Sequence, residues 1–209
     1  MSRARMVREL TARGIKQPKV LAAMSAIARE PFVEEALRTK AYDDAALPIG
    51  EKQTISQPYI VARMCELTDP DGTGRVLEIG SGSGYHAAVL SKLFEQVYSV
   101  ERIAAFSKRA RERVRALGIE NVHFKIFDGS YGWSEFAPYR AVVVTAAAPD
   151  VPHPLFEQLE DGGRLVLPIA GSGPDQTLVR VIKTADGTKR EDHGPCRFVP
   201  LVGKFGWTP

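Results

Sequence analysis

The stretch Val76-Leu77-Glu78-Ile79-Gly80-Ser81-Gly82-Ser83-Gly84 limits the architecture of this chain more than any other. An apolar run with strand character enters alternating glycines and then a helix-forming segment from Tyr85. Glycine is needed there because the backbone must turn sharply and let a ligand approach the main chain closely. Such a loop sits at the first strand–helix turn of a doubly wound sheet, where helix N-terminal amides face a nucleotide beyond the strand's carboxyl end. The following sequence keeps that rhythm: strands are expected at 75–79, 97–100, 122–127, 140–145, 164–169 and 177–183, with helices at 85–95, 103–117 and 154–160. Gly162-Gly163 reads as the turn into the fifth of these strands. The strands are too apolar to have a wet face, so the expected fold is α/β, a doubly wound and mostly parallel sheet of about seven strands covered by helices on both sides.

Ahead of the sheet, residues 1–41 read as helical, with Met6, Leu10, Val20, Met24, Phe32 and Leu37 supplying apolar faces. Periodicity is lost between Tyr42 and Gln57, and Pro58 suits the first turn of a new helix. The organisation expected is one domain over 1–209: a helical N-terminal segment and closing loop over 1–57, and an α/β core over 58–209. At 209 residues one core is enough, and 44% hydrophobic with 25% charged residues is the balance of a soluble globular protein. A net charge of +3 is too weak to imply nucleic acid. The basic cluster Lys108, Arg109, Arg111, Arg113 and Arg115 alternates with Ala110, Val114, Ala116 and Leu117, as the solvated face of a helix would. Cys65 and Cys196 have no metal-ligand spacing, so neither a disulfide nor a metal site is expected. The first ten residues lack the apolar stretch of a secretory signal, and no apolar run is long enough for a bilayer; a cytoplasmic monomer with no membrane or nucleic-acid partner is the expectation.

Two nucleotide classes compete for the glycine loop, because Gly82-Ser83-Gly84-Tyr85-His86-Ala87 also fits the dinucleotide fingerprint. Glu78 separates them. Beside a pyrophosphate its carboxylate is a like-charge neighbour; beside the α-ammonium of S-adenosylmethionine it is a favourable one, a difference in sign worth on the order of 4 kcal/mol at close range. Glu101 lies 101 − 80 = 21 residues beyond the first glycine, the separation of an acid that accepts both ribose hydroxyls. Asp128-Gly129 ends the third strand, where a carboxylate can accept the adenine amino group and a glycine admits close approach.

Further residues carry a resemblance. Gln53-Thr54-Ile55-Ser56-Gln57-Pro58-Tyr59-Ile60-Val61-Ala62 resembles the signature of protein-L-isoaspartate O-methyltransferases, and VLEIGSGSGY, DGSYGW (128–133), APYRAVVVTAAAP (137–149), LEDGGRLVLPI (159–169) and RFVPLVGKFGW (197–207) extend the likeness from about residue 30 to the end. The resemblance implies a Rossmann-like class I methyltransferase that moves a methyl group from S-adenosylmethionine to the free α-carboxylate of an L-isoaspartyl residue in a damaged protein or peptide, with S-adenosylhomocysteine as the other product. It implies that Ser56 is the active-site serine, that Gln53, Thr54, Ile55 and Ser56 line the cofactor together with Glu78, Gly80, Ser81, Gly82, Ser83, Gly84, Glu101, Asp128 and Gly129, and that Ser56, Gln57, Pro58, Ala146, Ala147, Val199, Leu201 and Val202 shape the peptide pocket.

The chemistry implied needs no strong base, since a carboxylate is already ionised at neutral pH. His86, His123, His153 and His193 are therefore assigned no catalytic role. Two departures from the family pattern stand out: Phe127 where a small residue is expected, which would narrow an adenine pocket, and Glu51-Lys52, which adds charge to the closing loop. Pro195-Cys196 superficially resembles a cytosine methyltransferase motif but lies far past the fourth strand. The competing readings are a methyltransferase of another carboxylate, a non-catalytic S-adenosylmethionine-binding regulator, and a nicotinamide-dependent oxidoreductase.

Overall fold

The computed structural model describes residues 2–171 and 175–208. The chain opens on helices α1 (Arg3–Ala12), capped by Ser2, and α2 (Pro18–Ala26), started by a proline whose φ is pre-set for a first turn. The helical reading of residues 1–41, punctuated at Gly14, Pro18 and Pro31, holds in short pieces, with α2 ending where Ile27 turns extended. Pro31 lacks the amide a continued helix requires, and the chain makes 3-10 turns at Glu30–Phe32 and Glu35–Lys40 instead. The aperiodic stretch that follows holds an unforeseen antiparallel hairpin, β1 (Leu47–Gly50) and β2 (Gln53–Ile55). Its connecting residues, Glu51 and Lys52, are both left-handed, with φ of 48° and 57°, the twist a two-residue hairpin turn demands. Helix α3 (Pro58–Leu67) then packs on α1 and α2.

The remainder alternates β3 (Arg75–Ile79), α4 (Tyr85–Leu90), β4 (Gln96–Glu101), α5 (Ala104–Ala116), β5 (Val122–Ile126), β6 (Tyr139–Val144), α6 (His153–Glu157), β7 (Leu159–Ala170), β8 (Gln176–Thr184) and β9 (Gly187–Cys196). Seven of the strands form one sheet in the order β5-β4-β3-β6-β7-β8-β9. Pairings from β5 to β7 are parallel, and those of β8 and β9 antiparallel. The order reverses between β3 and β6, which leaves a crevice at their carboxyl ends.

Three expectations need correction. Helix α4 ends at Leu90 rather than 95, where Ser91 bonds back to the Ala88 carbonyl and the backbone tightens into short turns. Helix α6 ends at Glu157, and Gly162-Gly163 is a bulge inside β7 instead of a turn before it: Leu159 already pairs with Tyr139, and Arg164 with Ala141. A Cβ on Gly163 would lie 2.7 Å from the Glu160 carbonyl, so the bulge needs that glycine. Strand β9, rich in charge, is an addition to the expected set.

Alternation sorts the sheet's side chains into two layers. Val76, Val97, Val143 and Val166 face a layer shared with Met24, Met64, Leu90 and Phe106 from α2 to α5. Leu77, Val100, Val142 and Leu165 face the other, with Leu155 of α6. Glu78 has the parity of Val76, so it is directed beneath α3 and α4 rather than out of the crevice.

Candidate functional site

The crevice is a cavity of ≈ 740 Å³, within the range of small-molecule sites. Three groups of residues enclose it. The floor is the glycine loop, Gly80 to Ser83, with Ile79, Val100, Glu101 and Gly129 at the strand ends. The flap formed by β1 and β2 and the start of α3 contribute Gln53, Thr54, Ile55, Ser56, Gln57, Ile60 and Val61. Opposite stand Thr145 and Ala146 after β6 and the segment Pro195 to Val202.

The glycines are needed for shape. Gly80 has φ of 96°, and a Cβ there would lie 2.3 Å from the Thr145 hydroxyl oxygen, which donates to the Gly80 carbonyl at 2.8 Å. A Cβ on Gly129 would meet Ile79 at 2.5 Å. The result is a bare main-chain cradle beside a carboxylate. Glu101, 7% exposed, accepts the Gly82 amide at 3.0 Å and the Ile103 amide at 2.9 Å, which fixes its carboxylate at the cavity edge.

Glu78 lies one layer below. It is fully buried, accepts from the Ser99 hydroxyl, and reaches the cavity only through a relay in which Ser81 and Ser99 stand 2.5 Å apart. Burial raises its carboxyl to about 8. In the same layer His86 and Cys65 are 3.3 Å apart; burial lowers the imidazole to about 4 and raises the thiol. His86 is thus neutral at physiological pH, and its exposed edge belongs to the cavity wall.

Of the residues singled out in the sequence, Gln53 to Gln57, Gly80 to Ser83, Glu101, Gly129, Ala146, Val199, Leu201 and Val202 meet around this one space. Glu78, Gly84, Pro58, Ala147 and Asp128 stand behind its surface. Gly84, with φ of 90°, begins α4 against Ala110. Ala147 binds the segment opposite the flap, its amide to Val199 and its carbonyl to the Leu201 amide and the Trp207 indole. Asp128 accepts from the Ser130 amide and hydroxyl and from the Lys204 amide, so its carboxylate ties the turn after β5 to the C-terminal loop. Phe127 is 44% exposed, packs on Tyr131 and Lys125, and does not narrow the cavity.

Sequence reasoning missed Thr145, Tyr85, Ile103 and Phe106 as lining residues. Ile103 and Phe106 follow Glu101 closely enough that their apolar character beside the expected ribose acid was a usable signal. Ser56 occupies the junction between flap and α3, and its hydroxyl makes no protein hydrogen bond among the described residues. A polar group so placed is available to a ligand.

Comparison with known proteins gives a consistent result. The family model described as protein-L-isoaspartate(D-aspartate) O-methyltransferase matches residues 1–206. A protein-L-isoaspartate O-methyltransferase of Geobacter metallireducens is 53% identical over 99% of this chain and 96% of its own length, and one of Syntrophus aciditrophicus is 52% identical over the same shares. Among solved structures, a protein-L-isoaspartate O-methyltransferase superposes with a TM-score of 0.90 at 33% identity, covering 98% of this chain and 67% of the other. A Plasmodium falciparum protein solved with S-adenosyl-L-homocysteine reaches 0.80 at 23% identity over 94% and 96%, a likeness of fold.

Proposed function

This chain belongs to the protein-L-isoaspartate(D-aspartate) O-methyltransferase family, and from that premise we propose how its cleft serves the reaction. The activity is methylation of the isoaspartyl α-carboxylate in damaged proteins, the first step of their repair; neither the nicotinamide reading nor that of a non-catalytic regulator is favoured. The observation that carries the assignment of roles is the shared cavity: the glycine cradle with Glu101 and the flap with Ser56 bound one volume, so donor and acceptor can meet there.

The cradle suits S-adenosylmethionine, because its close approach is guarded by Gly80 and Gly129 and its edge carries the Glu101 carboxylate. When bound, that cofactor supplies an electrophilic methyl group on a sulfonium and leaves as a neutral thioether. Glu101 accepts the ribose hydroxyls, and its two amide partners hold it in place for that task. Glu78, uncharged at neutral pH, acts through Ser99 and Ser81, orienting the Ser81 hydroxyl under the amino-acid end. Asp128 shapes the adenine end by holding the turn that presents Gly129.

On the acceptor side, Ser56 donates its free hydroxyl to one oxygen of the isoaspartyl carboxylate and leaves the other aimed at the methyl carbon. Gln57 and Pro58 set the direction of α3, while Ala146, Val199, Leu201 and Val202, backed by the main-chain bonds of Ala147, form an apolar wall that strips water from the nucleophile. An oxygen–carbon bond forms as the carbon–sulfur bond breaks, and no proton moves. Catalysis is then alignment and desolvation. The reading needs no second subunit, since flap, cradle and acceptor wall belong to one chain, and the free thiols Cys65 and Cys196 suit a reducing compartment such as the cytoplasm.

The test is transfer of labelled methyl to a peptide containing L-isoaspartate and to its normal-aspartate twin. Base-labile label should appear on the first only. Ser56→Ala should lower kcat by roughly 10- to 100-fold with cofactor affinity nearly unchanged; an equal loss in both, or none, removes the role given to that hydroxyl.

A further inference from the structure

One buried cation takes no part in the chemistry above. Arg29, in the segment after α2, is 0% exposed. Its Nε donates to the Ala41 carbonyl at 2.7 Å and its Nη2 to the Ser56 carbonyl at 2.6 Å. The guanidinium carbon lies 4.8 Å from the ring centre of Tyr85, a cleft residue, and Nη1 finds no acceptor among the described residues. Burial lowers its pKa only to about 10, so it remains a cation at neutral pH.

A charge so deep, bonded to neutral carbonyls, is an expensive way to fill a core, and an apolar side chain of similar length would fill the space without the desolvation penalty. What the guanidinium adds is geometry. Ala41 and Ser56 are the two ends of the segment that carries the flap, and one rigid fork holds both. The Tyr42 hydroxyl, next along the chain, accepts from the Arg29 amide and donates to Glu30, which braces the fork's base. A side chain with a single donor cannot reproduce this span.

We propose that Arg29 is a positioning residue for methyl transfer: its fork closes the base of the flap and, by fixing the Ser56 main chain, sets the direction of the Ser56 hydroxyl toward the acceptor carboxylate. The inference rests on the role given to Ser56 above. Arg29 touches neither donor nor acceptor, and its effect falls on turnover more than on cofactor binding.

Three variants test this, each assayed for labelled methyl transfer and for S-adenosylhomocysteine affinity beside the unmodified protein. Arg29→Met keeps the volume and removes the fork; it should fold, by far-ultraviolet circular dichroism, yet lose about 30-fold or more in kcat with a change in affinity below about threefold. Arg29→Lys, able to reach one carbonyl, should recover part of that loss. Arg29→Ala should gain turnover when millimolar methylguanidinium is added, whereas Ser56→Ala should not. If Arg29→Met does not fold, the lysine and rescue arms decide. Folded variants with unaltered kcat, or a loss that tracks thermal stability with neither partial recovery in Arg29→Lys nor rescue by methylguanidinium, would overturn the proposal. An unmodified protein that labels no isoaspartyl peptide would instead sink the reading of the site itself.

Discussion

Glu78 and His86 share the layer beneath the glycine loop, and burial drives both toward their neutral forms, in opposite directions on the pH scale. Between 6.5 and about 4 the unfolded chain binds a proton on His86 that the folded chain refuses, so stability falls as pH drops through that window. Glu78 behaves inversely. Its contribution is full below 4.5 and is lost as pH rises toward about 8, because the folded state retains a proton the unfolded chain releases. From 4.5 to 6.5 the two slopes oppose each other, and above 6.5 Glu78 acts alone. Without cofactor, Glu78→Gln should therefore abolish the decline between about pH 6.5 and pH 8. Unfolding free energies of the two proteins from urea titrations should diverge across that window by on the order of 2 kcal/mol in favour of the variant; parallel curves would show that the carboxyl is not held neutral. The sequence made Glu78 visible by its place before the glycines, but not the layer it enters, which depends on strand parity and on Ser99 across the sheet. Glu101 was legible because residue type and spacing suffice for it. Thr145 and Arg29 were not, since their partners Gly80 and Ser56 lie far away along the chain and only the folded sheet and flap bring them near.

The flap was invisible at the level of elements for a different reason. β1 and β2 are short, and their turn is Glu51-Lys52 rather than the Asn-Gly or Asp-Gly pair that announces a hairpin. Left-handed backbone without glycine costs roughly 1 kcal/mol or more per residue. Replacing Glu51-Lys52 by Asn-Gly should relieve that cost and raise Tm by about 2–4 °C for each kcal/mol recovered in a chain of this size, measured by calorimetry. A fall in Tm would mean that the turn has another conformation in solution. Strand β9 escaped notice because Gly187–Cys196 is charged and largely exposed, so period-2 alternation is absent from a strand held mainly by its ladder to β8. The central strands β3, β4 and β6 were legible because burial on both faces makes them largely apolar; the end of α6 and the bulge in β7 were not, since a glycine pair signals a turn and a bulge alike.

At the scale of the whole molecule, the reversal of strand order between β3 and β6 makes a crevice whatever the residues, and the residues decide what enters it. The glycine cradle alone suits either of two nucleotides, so the decision falls on the groups around it, and ligand-linked stability reads that decision without any assay of turnover. A ligand that binds only the folded chain adds about 2.7 kcal/mol at a hundred times its Kd. For a chain of this size that corresponds to a rise in Tm of roughly 5–11 °C. S-adenosylhomocysteine should produce this rise and NAD at equal concentration should produce none. Glu101→Ala should keep the fold, because the cradle is shaped by Gly80, Gly129 and Thr145, but should lose most of the rise, because its carboxylate is the cavity-edge acceptor for the ribose. A full rise in Glu101→Ala would place the ribose elsewhere, and a rise with NAD equal to that with S-adenosylhomocysteine would mean that the cradle does not discriminate and that selectivity enters only with the acceptor peptide.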